Sequence, residues 1–290
     1  MESRLISGTT KVCGVIGDPI GHSLSPVIHN AAFNEEGLDY LYVSFRVKKE
    51  ALGEAIRGMR ALNIRGLNVT IPHKVAIIPF LDKLDHLAEQ IGAVNTVVND
   101  NGILTGCNTD AEGFLRALLE RGIEPKGENA VILGAGGASR AISFILAERG
   151  ANLVILNRTW DKARECASRV SQVFQREVRA LRLDKENLRE ALAEADILVN
   201  TTSVGMYPAV DETPVISDQL NPELVVVDIV YNPVRTRLLT EAGKLGARTV
   251  SGIDMFVWQG ALAFEKWTSR KAPVELMKKE AVKALKGNED

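Results

Sequence analysis

Short runs of β-branched and aliphatic residues alternate with longer helical patterns along this chain, and this alternation constrains the fold more than any other feature. The runs are KVCGVIG, YLYVSFRV and GLNVT early in the chain, and NAVILG, NLVIL, ADILVN and ELVVVDIV later. Such alternation is typical of α/β folds with mostly parallel sheets. Several runs are apolar at every position, as expected for strands covered by helices on both faces.

The composition is that of an ordinary globular protein. The chain has 290 residues, of which 46% are hydrophobic and 25% charged, and this length suits about two domains. A formal net charge of -2 creates no field that would attract nucleic acid or an anionic membrane. No apolar run approaches the roughly 18 residues of a membrane-spanning helix, and the first residues lack the apolar centre of a signal peptide. We therefore expect a small-molecule partner, with neither nucleic acid nor membrane involved.

The cysteines argue against a disulfide framework and against a thiolate metal site. Cys13, Cys107 and Cys166 are odd in number, far apart and free of CxxC spacing. Such usage is typical of a reducing compartment. We expect a cytoplasmic protein without a bound metal.

A hairpin signal breaks the parallel pattern and makes the first sheet mixed. Asn101 and Gly102 lie between two β-rich runs, which is the strongest short signal for a tight turn with positive φ. A helix from Asp110, ended by Gly122, follows. The late helix IDMFVWQGALAFEKW is too apolar for one exposed layer, so we expect it to pack on the first domain. The prediction is a discontinuous first domain of residues 1–110 plus 253–290, a second of residues 111–252, and a cleft between them.

The stretch NAVILGAGGASRAISFIL provides an apolar strand, a glycine turn and a helix in immediate succession. Gly134 permits the tight turn, and Gly136 lets the backbone approach a pyrophosphate at the helix N-terminus. Ser139 occupies the third position of the glycine fingerprint, where it remains small enough for packing of helix on strand. This context predicts a dinucleotide-binding domain of the doubly wound, Rossmann-like kind.

The next strand indicates which dinucleotide is bound. A site for NAD would show an Asp or Glu after NLVIL, but the chain continues with Asn157, Arg158 and Thr159, and Lys162 is close behind. A guanidinium suits the extra 2′-phosphate of NADP. The alternative is a solvated surface arginine.

Two serines follow the first strand and precede a helix that is opened by a proline. Ser25 before Pro26 also fits a helix cap, whereas Ser23 is not needed for one. Two hydroxyls beside a helix N-terminus would suit a carboxylate. His22 and His29 are interpreted as structural.

The stretch NVTIPHK places Lys74 in what we expect to be the first turn of a helix, where the positive end of the helix dipole disfavours a cation. A position that breaks a local rule is a candidate functional position. Asn68 and Thr70 alternate along one strand, so their side chains share a face. Other polar residues also follow strands, where open α/β sheets bind their ligands: Asn95, Asn108, Thr109 and Asp110.

These motifs together resemble the shikimate dehydrogenase family over nearly the whole chain. The family order is kept by GDPIGHSLSP, NVTIPHK, GAVNT, NTDAEGF, LGAGGASRA, NRT, NTTSVGM and GIDMFVWQGALAFE. The resemblance implies a substrate domain, an NADP-binding domain, and reversible NADPH-dependent reduction of 3-dehydroshikimate to shikimate in aromatic biosynthesis.

The resemblance also implies the roles of individual residues. Lys74 and Asp110 would be the catalytic pair. The substrate would be held by Ser23, Ser25, Asn68, Thr70, Lys74, Asn95, Asp110, Tyr231 and Gln259. NADP would be held by Gly134, Ala135, Gly136, Gly137, Ala138, Asn157, Arg158, Thr159, Lys162, Thr201, Val230 and Gly252. Lys162 departs from the many relatives that carry a second arginine, which would loosen the clamp on the 2′-phosphate.

Two other functions stay open at this stage. One is a quinate/shikimate dehydrogenase that prefers NAD, against which NRT without an acidic residue argues. The other is a non-catalytic NADP-sensing protein that has lost the chemistry, against which the presence of both Lys74 and Asp110 argues. The oligomeric state is also open, with a homodimer among the options.

Overall fold

The computed structural model describes residues 6–286, and the chain divides into two compact units. The first unit comprises Met1–Thr109 and Gln259–Asp290, and the second comprises Asp110–Trp258. Residues 1–5 and 287–290, at the ends of the predicted first domain, lie outside the described residues. The second boundary, between Trp258 and Gln259, falls within a helix, whereas the sequence prediction placed it between residues 252 and 253.

Strands and helices alternate as the sequence predicts. The strands are β1 (Lys11–Gly17), β2 (Tyr40–Arg46), β3 (Gly66–Val69), β4 (Lys83–Leu84), β5 (Thr96–Asp100), β6 (Ile103–Cys107), β7 (Asn129–Leu133), β8 (Asn152–Asn157), β9 (Val178–Arg182), β10 (Ile197–Asn200), β11 (Val225–Asp228) and β12 (Arg248–Ser251). The α-helices are α1 (Ser25–Glu35), α2 (Leu52–Ala61), α3 (His86–Ile91), α4 (Asp110–Leu119), α5 (Gly137–Glu148), α6 (Trp160–Phe174), α7 (Lys185–Ala193), α8 (Arg237–Lys244), α9 (Gly252–Thr268) and α10 (Val274–Lys286). Short 3-10 helices cover Lys49–Ala51, Ile78–Phe80 and Ser217–Gln219.

The sheet of the first unit is mixed, and its strand order is β2-β1-β3-β5-β6-β4. Strands β2, β1 and β3 run parallel, whereas β5 is antiparallel to both β3 and β6. The predicted hairpin joins β5 to β6, and both of its turn residues have positive φ, 52° at Asn101 and 90° at Gly102. Two consecutive positive φ values are what a primed turn requires. The prediction of a mixed sheet is therefore confirmed.

Apolar side chains cover both faces of this sheet. On one face Leu52, Ile56 and Met59 of α2 pack with strand residues such as Leu67 and Val97. On the other face an aromatic cluster joins α1, β2 and the last part of α9, and Trp267 donates from its indole nitrogen to the Val97 carbonyl at 3.0 Å. The cluster consists of His29, Phe33, Tyr40, Tyr42, Phe264 and Trp267. The end of α9 thus belongs to the core of the first unit.

The sheet of the second unit is parallel throughout, in the order β12-β11-β10-β7-β8-β9. Numbered from β7, this is the doubly wound order in which the chain leaves the centre in one direction and later returns to build outward in the other. Strands β10 and β11 are buried at every position, as expected for strands covered on both faces. The prediction of a Rossmann-like second fold is therefore confirmed.

Leucine-rich helices cover one face of the second sheet. Leu188 and Leu192 of α7, together with Leu238 and Leu239 of α8, pack against strand residues such as Leu198. Phe144 of α5 contacts Phe174 of α6, with ring centroids 4.8 Å apart. Within residues 6–286, no helix has the length and apolar character needed to cross a bilayer.

Gly66 marks a place in the first core where a side chain does not fit. A Cβ added there would lie 2.0 Å from the Trp267 indole nitrogen, so Gly66→Ala should lower the free energy of unfolding by about 3 kcal/mol through overpacking. Gly58 in α2 is the control, because no atom lies within 4 Å of its added Cβ, and Gly58→Ala should raise stability by about 1 kcal/mol. Urea denaturation of both variants measures the difference, and equal stability would contradict the packing described here.

Candidate active site

The carboxyl ends of β1 and β3 lie side by side, and this closeness determines the position of Thr70, one of the predicted substrate residues. Thr70 directly follows β3, and its backbone nitrogen donates to the Ile16 carbonyl at 3.0 Å. A Cβ added to Gly17 would lie 2.5 Å from the Thr70 methyl group. Only glycine at the end of β1 therefore allows Thr70 its place, where its hydroxyl-bearing side chain is half-buried.

Lys74 does not lie in an α-helix, so the predicted first helical turn is wrong. The chain forms an isolated turn closed by a bond from the Ile77 nitrogen to the His73 carbonyl at 3.0 Å, followed by the short 3-10 helix. One turn carries little of the dipole that a full helix accumulates, so the expected electrostatic penalty on Lys74 is weak. The Lys74 carbonyl accepts from the Val94 nitrogen at 2.8 Å, and the residue is half-buried. Backbone bonds thus position this lysine after β3.

Three of the predicted substrate residues are joined by hydrogen bonds, one between two carboxamides and one from a carboxamide to a backbone carbonyl. Asn95 donates from Nδ2 to Gln259 Oε1 at 3.4 Å. Asn68 donates from Nδ2 to the Asn95 carbonyl at 3.3 Å. Asn68 and Asn95 are buried, whereas Gln259 is half-buried. The structure therefore brings a group rich in both acceptors and donors together at one edge of the first sheet.

Two buried hydroxyls behind these carboxamides are absent from the sequence prediction. Tyr42 donates to Asn68 Oδ1 at 2.7 Å, and Thr96 accepts from Asn68 Nδ2 at 3.2 Å. The alternation of YLYVSF and the position of Thr96 beside Asn95 are the signals that could have found them. His29 stacks on Tyr42 at 4.4 Å, and burial lowers the pKa of His29 to about 3. The histidine is thus a neutral packing residue, in agreement with its structural interpretation.

The segment after β6 leads to the second predicted catalytic residue. Asn108 donates to the Ala93 carbonyl at 2.9 Å, and the Thr109 nitrogen donates to Asn95 Oδ1 at 2.7 Å. Asp110 comes next, opens α4 and is 4% exposed. A carboxylate at a helix N-terminus is electrostatically favoured. The predicted helix from Asp110 ends at Leu119, and Gly122 has a positive φ of 66°.

The two serines lie at the start of α1, and neither caps that helix. The N-cap is Leu24, without a side-chain cap bond, so the capping interpretation of Ser25 is wrong. The Ser23 hydroxyl accepts from the Ser25 nitrogen at 3.3 Å, which holds the loop rather than the helix. Among the described residues, no hydrogen bond joins these serines to the carboxamides. Their hydroxyls are thus not committed to helix capping.

The glycine turn has the conformation that phosphate binding needs. Gly134 has a φ of 109°, which disfavours any side chain there, and helix α5 begins at Gly137. No atom lies within 4 Å of a Cβ added to Gly136, so a ligand can approach the backbone at the helix N-terminus. Ala135, Gly137 and Ala138 complete the turn and are half-buried. Ser139 is 0% exposed and donates to the Gly134 carbonyl at 2.7 Å, so the departure from the fingerprint ties the turn to the helix.

A cationic surface lies at the N-terminus of α6, after β8. Asn157 donates from Nδ2 to the Thr159 carbonyl at 2.9 Å, which shapes the link between strand and helix. Arg158, Thr159 and Lys162 are exposed, and Thr159 is an N-cap without a side-chain cap bond. Two cations and a helix N-terminus at one place suit an anion.

The point where the strand order reverses, between β7 and β10, lies beside the glycine turn. Thr201 follows β10, donates from Oγ1 to the Leu133 carbonyl at 2.6 Å, and would lie 2.5 Å from a Cβ on Gly134. Ligands of open α/β sheets bind at this kind of switch point. Glycine is therefore needed at position 134 for a steric reason as well as for its positive φ.

A buried carboxylate holds the two loops that follow β10 and β11. Asp228 is 0% exposed and accepts from Asn200 Nδ2 at 3.0 Å, from the Val230 nitrogen at 3.1 Å and from Thr236 Oγ1 at 2.7 Å. Burial raises its pKa to about 6. Sequence reasoning missed Asp228, although an acidic residue that ends an apolar strand was a visible signal. It fixes the place of Val230 directly.

Tyr231 and Gly252 lie near the same loops. Tyr231 stacks on Phe256, with ring centroids 4.4 Å apart. The residue is half-buried, and the loss of water around its phenol raises the pKa to about 12, so the phenol is neutral at physiological pH. A Cβ on Gly252 would lie 2.4 Å from the Ile229 carbonyl oxygen and 2.6 Å from that of Val230. Only glycine can open α9 this close to the loop.

The cysteines are buried and free. Burial raises the pKa of all three thiols. In the part of the chain that the structure describes, no group of three or more His, Cys, Asp or Glu side chains is arranged to hold a metal ion.

The fold and the site define an oxidoreductase of two α/β units, one of which has the sheet order and glycine turn of a dinucleotide-binding domain. Three family models match the chain, and together they span most of it. They are the shikimate dehydrogenase substrate-binding domain over residues 15–97, shikimate/quinate 5-dehydrogenase over residues 118–234, and the shikimate 5′-dehydrogenase C-terminal domain over residues 252–282.

Individual relatives agree with these models. The shikimate dehydrogenase (NADP(+)) of Methanopyrus kandleri is 52% identical over 97% of this chain and 98% of its own. A crystal structure of a shikimate dehydrogenase with NADP+ has a TM-score of 0.91 at 43% identity and covers 97% of this chain and 98% of that one. The Thermus thermophilus enzyme with NADP(H) and shikimate has a TM-score of 0.85 at 40% identity, covering 95% of this chain and 100% of that one. The chain belongs to the shikimate dehydrogenase family.

Asp228 should make stability depend on pH in an unusual direction. Its pKa of about 6 lies above the ordinary value of 3.8, so between these values the native state keeps a proton that the unfolded state has released. This group's contribution to the free energy of unfolding therefore falls as pH rises from about 4 to 6, by about 3 kcal/mol. Asp228→Asn removes the titration and keeps an acceptor for Asn200 and Val230. Urea denaturation across this range should show a difference between wild type and variant that changes with pH, and parallel curves would contradict the prediction.

Proposed function

We propose that this protein catalyses the reversible NADPH-dependent reduction of 3-dehydroshikimate to shikimate, a step of aromatic biosynthesis. The observation that carries the proposal is the group of carboxamides at the edge of the first sheet, where the matched family model is a substrate-binding domain. A ring with several hydroxyls and a ketone needs such paired donors and acceptors. Lys74 lies in the turn after β3, the strand that carries Asn68, and would supply a cation.

Substrate recognition in this proposal uses both ends of the molecule. The hydroxyls of Ser23 and Ser25, at the N-terminus of the 11-residue helix α1, would bind the carboxylate, because backbone N–H groups and the dipole there favour an anion. The ring hydroxyls and the ketone would be bound by the remaining polar residues. These are Asn68, Thr70, Lys74, Asn95, Asp110, Tyr231 and Gln259.

Cofactor binding in this proposal uses the second unit. The pyrophosphate would lie against the turn of Gly134, Ala135, Gly136, Gly137 and Ala138, because the backbone there is open and faces a helix N-terminus. The 2′-phosphate of NADP would lie at the N-terminus of α6, with the ribose and nicotinamide near the loops after β10 and β11. The residues for these contacts are Asn157, Arg158, Thr159, Lys162, Thr201, Val230 and Gly252.

The chain's own contribution to the reaction is charge stabilisation and proton transfer. Bound NADPH would supply the hydride that reduces the ketone. The Lys74 ammonium would stabilise the negative charge that develops on the ketone oxygen and donate a proton to it. Asp110 would hold the reacting hydroxyl and keep the ammonium oriented. In the reverse direction the same amine, in its neutral form, would accept the proton.

The division of labour between the units is part of the proposal. We assign substrate binding to a first domain of residues 1–110 plus 253–290 and NADP binding to residues 111–252. The compact units divide close to these positions, at Thr109 and at Trp258. Limited proteolysis with and without NADPH, read by mass spectrometry, would test whether protection is confined to the second domain.

Cellular location and assembly extend the proposal. We place the protein in the cytoplasm, because its buried cysteines are free and the reaction consumes NADPH. A homodimer remains an option that light scattering on purified protein would decide.

Purified protein tests the main proposal in one assay. With NADPH and 3-dehydroshikimate, nicotinamide absorbance should decay, and shikimate with NADP+ should reverse the change. A preference for quinate and NAD would favour the quinate/shikimate dehydrogenase alternative, against which the cations at α6 argue. Complete inactivity with every pair, together with NADP binding, would favour the sensing alternative, against which the presence of Lys74 and Asp110 argues.

Removal of the proposed acid should act on turnover. Lys74→Ala should lower kcat about a thousandfold and change the KM for 3-dehydroshikimate little, because the interaction is made mainly in the transition state. Lys49→Ala is the control, since Lys49 is an exposed lysine of the same unit. Steady-state kinetics of both variants measure the effect. A Lys74→Ala enzyme that keeps most of its turnover would remove the catalytic assignment.

Removal of the proposed 2′-phosphate ligand should act on cofactor choice. Arg158→Ala should raise the KM for NADPH about ten- to a hundredfold, the loss expected for one charge-assisted hydrogen bond, with a much smaller effect on NADH. Arg149→Ala is the control, because Arg149 is exposed at the C-terminal end of α5, which is the end away from the glycine turn. Initial rates with both cofactors decide the outcome. Equal losses for NADPH and NADH would overturn the assignment of Arg158.

A further inference from the structure

The carboxamides of Asn68 and Asn95 have an orientation problem. A carboxamide has one acceptor end and one donor end of nearly equal shape, so a flip exchanges the two unless the surroundings distinguish them. Both side chains are nearly buried, at 5% and 2% exposed. A substrate hydroxyl that is to meet the correct end therefore depends on what lies behind each side chain.

The surroundings of Asn68 allow only one orientation. The Asn95 backbone carbonyl lies 3.3 Å from one end of the carboxamide, and a carbonyl can only accept, so that end is the amino group. The other end is then Oδ1, to which the Tyr42 hydroxyl donates at 2.7 Å. Tyr42 is 1% exposed and its ring is stacked against His29. Its hydroxyl therefore has a fixed position.

The surroundings of Asn95 are equally selective. The Thr109 backbone nitrogen lies 2.7 Å from one end of this carboxamide, and a backbone N–H can only donate, so that end is Oδ1. The amino group then faces Thr109 Oγ1 at 2.9 Å and Gln259 Oε1 at 3.4 Å. The orientation of Asn95 thus determines which of its ends contacts Gln259.

The hydroxyl of Thr96 connects the two carboxamides. Its Oγ1 accepts from Asn68 Nδ2 at 3.2 Å and donates to Asn95 Oδ1 at 3.1 Å, and it lies 3.2 Å from Thr109 Oγ1. Thr96 is directly opposite Asn68 in the pairing of β3 with β5. At 0% exposed it is withdrawn from solvent and acts through its neighbours.

An ordinary core role does not account for a hydroxyl at this position. The next residues of β5, Val97 and Val98, are valines, and valine has almost the shape of threonine. Burial of a hydroxyl is favourable only where its hydrogen bonds are made. The partners of this hydroxyl are the side chains of Asn68 and Asn95, which are predicted to bind the substrate, and of Thr109. Its hydrogen bonds therefore act on residues of the proposed substrate site.

We propose that Thr96 and Tyr42 are positioning residues whose buried hydroxyls hold Asn68 and Asn95 in the orientation that the Asn95 carbonyl and the Thr109 N–H select, and so present the correct ends to the substrate ring. The inference rests on the proposed function, because it assumes that these carboxamides bind 3-dehydroshikimate. It adds two buried residues that contribute to substrate specificity through Asn68 and Asn95 without contacting the substrate themselves. Loss of either hydroxyl leaves the fold and the cofactor unit intact and weakens recognition of the ring.

The decisive comparison is Thr96→Val against Thr96→Ser. The valine variant keeps the shape and removes the hydroxyl with its bonds to Asn68 and Asn95. The KM for 3-dehydroshikimate should therefore rise at least about tenfold, while the KM for NADPH stays unchanged. The serine variant restores the hydroxyl and should recover most of the affinity. Thr105→Val on β6 is the matched control, because the Thr105 side chain forms no hydrogen bond within residues 6–286. Its kinetics should equal those of wild type.

Melting temperatures separate positioning from simple loss of structure. Should Thr96→Val fail to fold, Tyr42→Phe tests the same inference from the other side of Asn68, with the same expected split between the two KM values. An active wild type whose foldable variant keeps its substrate KM, or loses affinity for substrate and NADPH alike, overturns this inference and leaves the proposed function standing. A wild type that does not act on 3-dehydroshikimate overturns both.

Discussion

Parallel neighbouring strands end at the same edge of a sheet, and the functional groups of both units depend on this constraint. In the first unit, β1 and β3 end together, which sets Thr70 beside Gly17 and Lys74 in the turn that follows. In the second unit, β7 and β10 end together, which sets Thr201 against Gly134. The next helix after β1 is α1 and the next after β7 is α5, and their N-termini add backbone donors at the same edge.

Both units also bury polar groups that are expensive to bury, and each stabilises them in the same way. A buried donor or acceptor without a partner costs roughly 1–3 kcal/mol, so such groups persist where several satisfy one another. Asn68, Thr96 and Asn95 do this in the first unit, and Asp228 with Asn200 and Thr236 does it in the second. The first network fixes side chains that we propose bind the substrate, and the second fixes two loops. Rigid polar networks thus support the groups that would contact substrate and cofactor.

Local chemistry was the less reliable guide where a tertiary contact decided the outcome. The proline and lysine of the turn at Lys74 suggested the start of a helix. The chain makes only one turn there, and the Lys74 carbonyl accepts a hydrogen bond from the Val94 nitrogen instead of continuing a helix. Ser25 before Pro26 suggested a cap, but the helix begins at the serine itself and its N-cap is Leu24. In both cases the residue types were compatible with two local structures, and at Lys74 a bond from a distant segment accompanies the one that formed.

The amino-acid sequence by itself determined the α/β class, the mixed first sheet, the doubly wound second fold and the glycine turn. These features depend on periodicity, on turn residues with positive φ and on residues adjacent in the chain, all of which can be read locally. Only the tertiary structure decided that Tyr42, Thr96 and Thr109 stand behind Asn68 and Asn95, and that Asp228 joins two loops. Hydrogen bonds between residues far apart in sequence depend on strand register and burial, which no local pattern specifies.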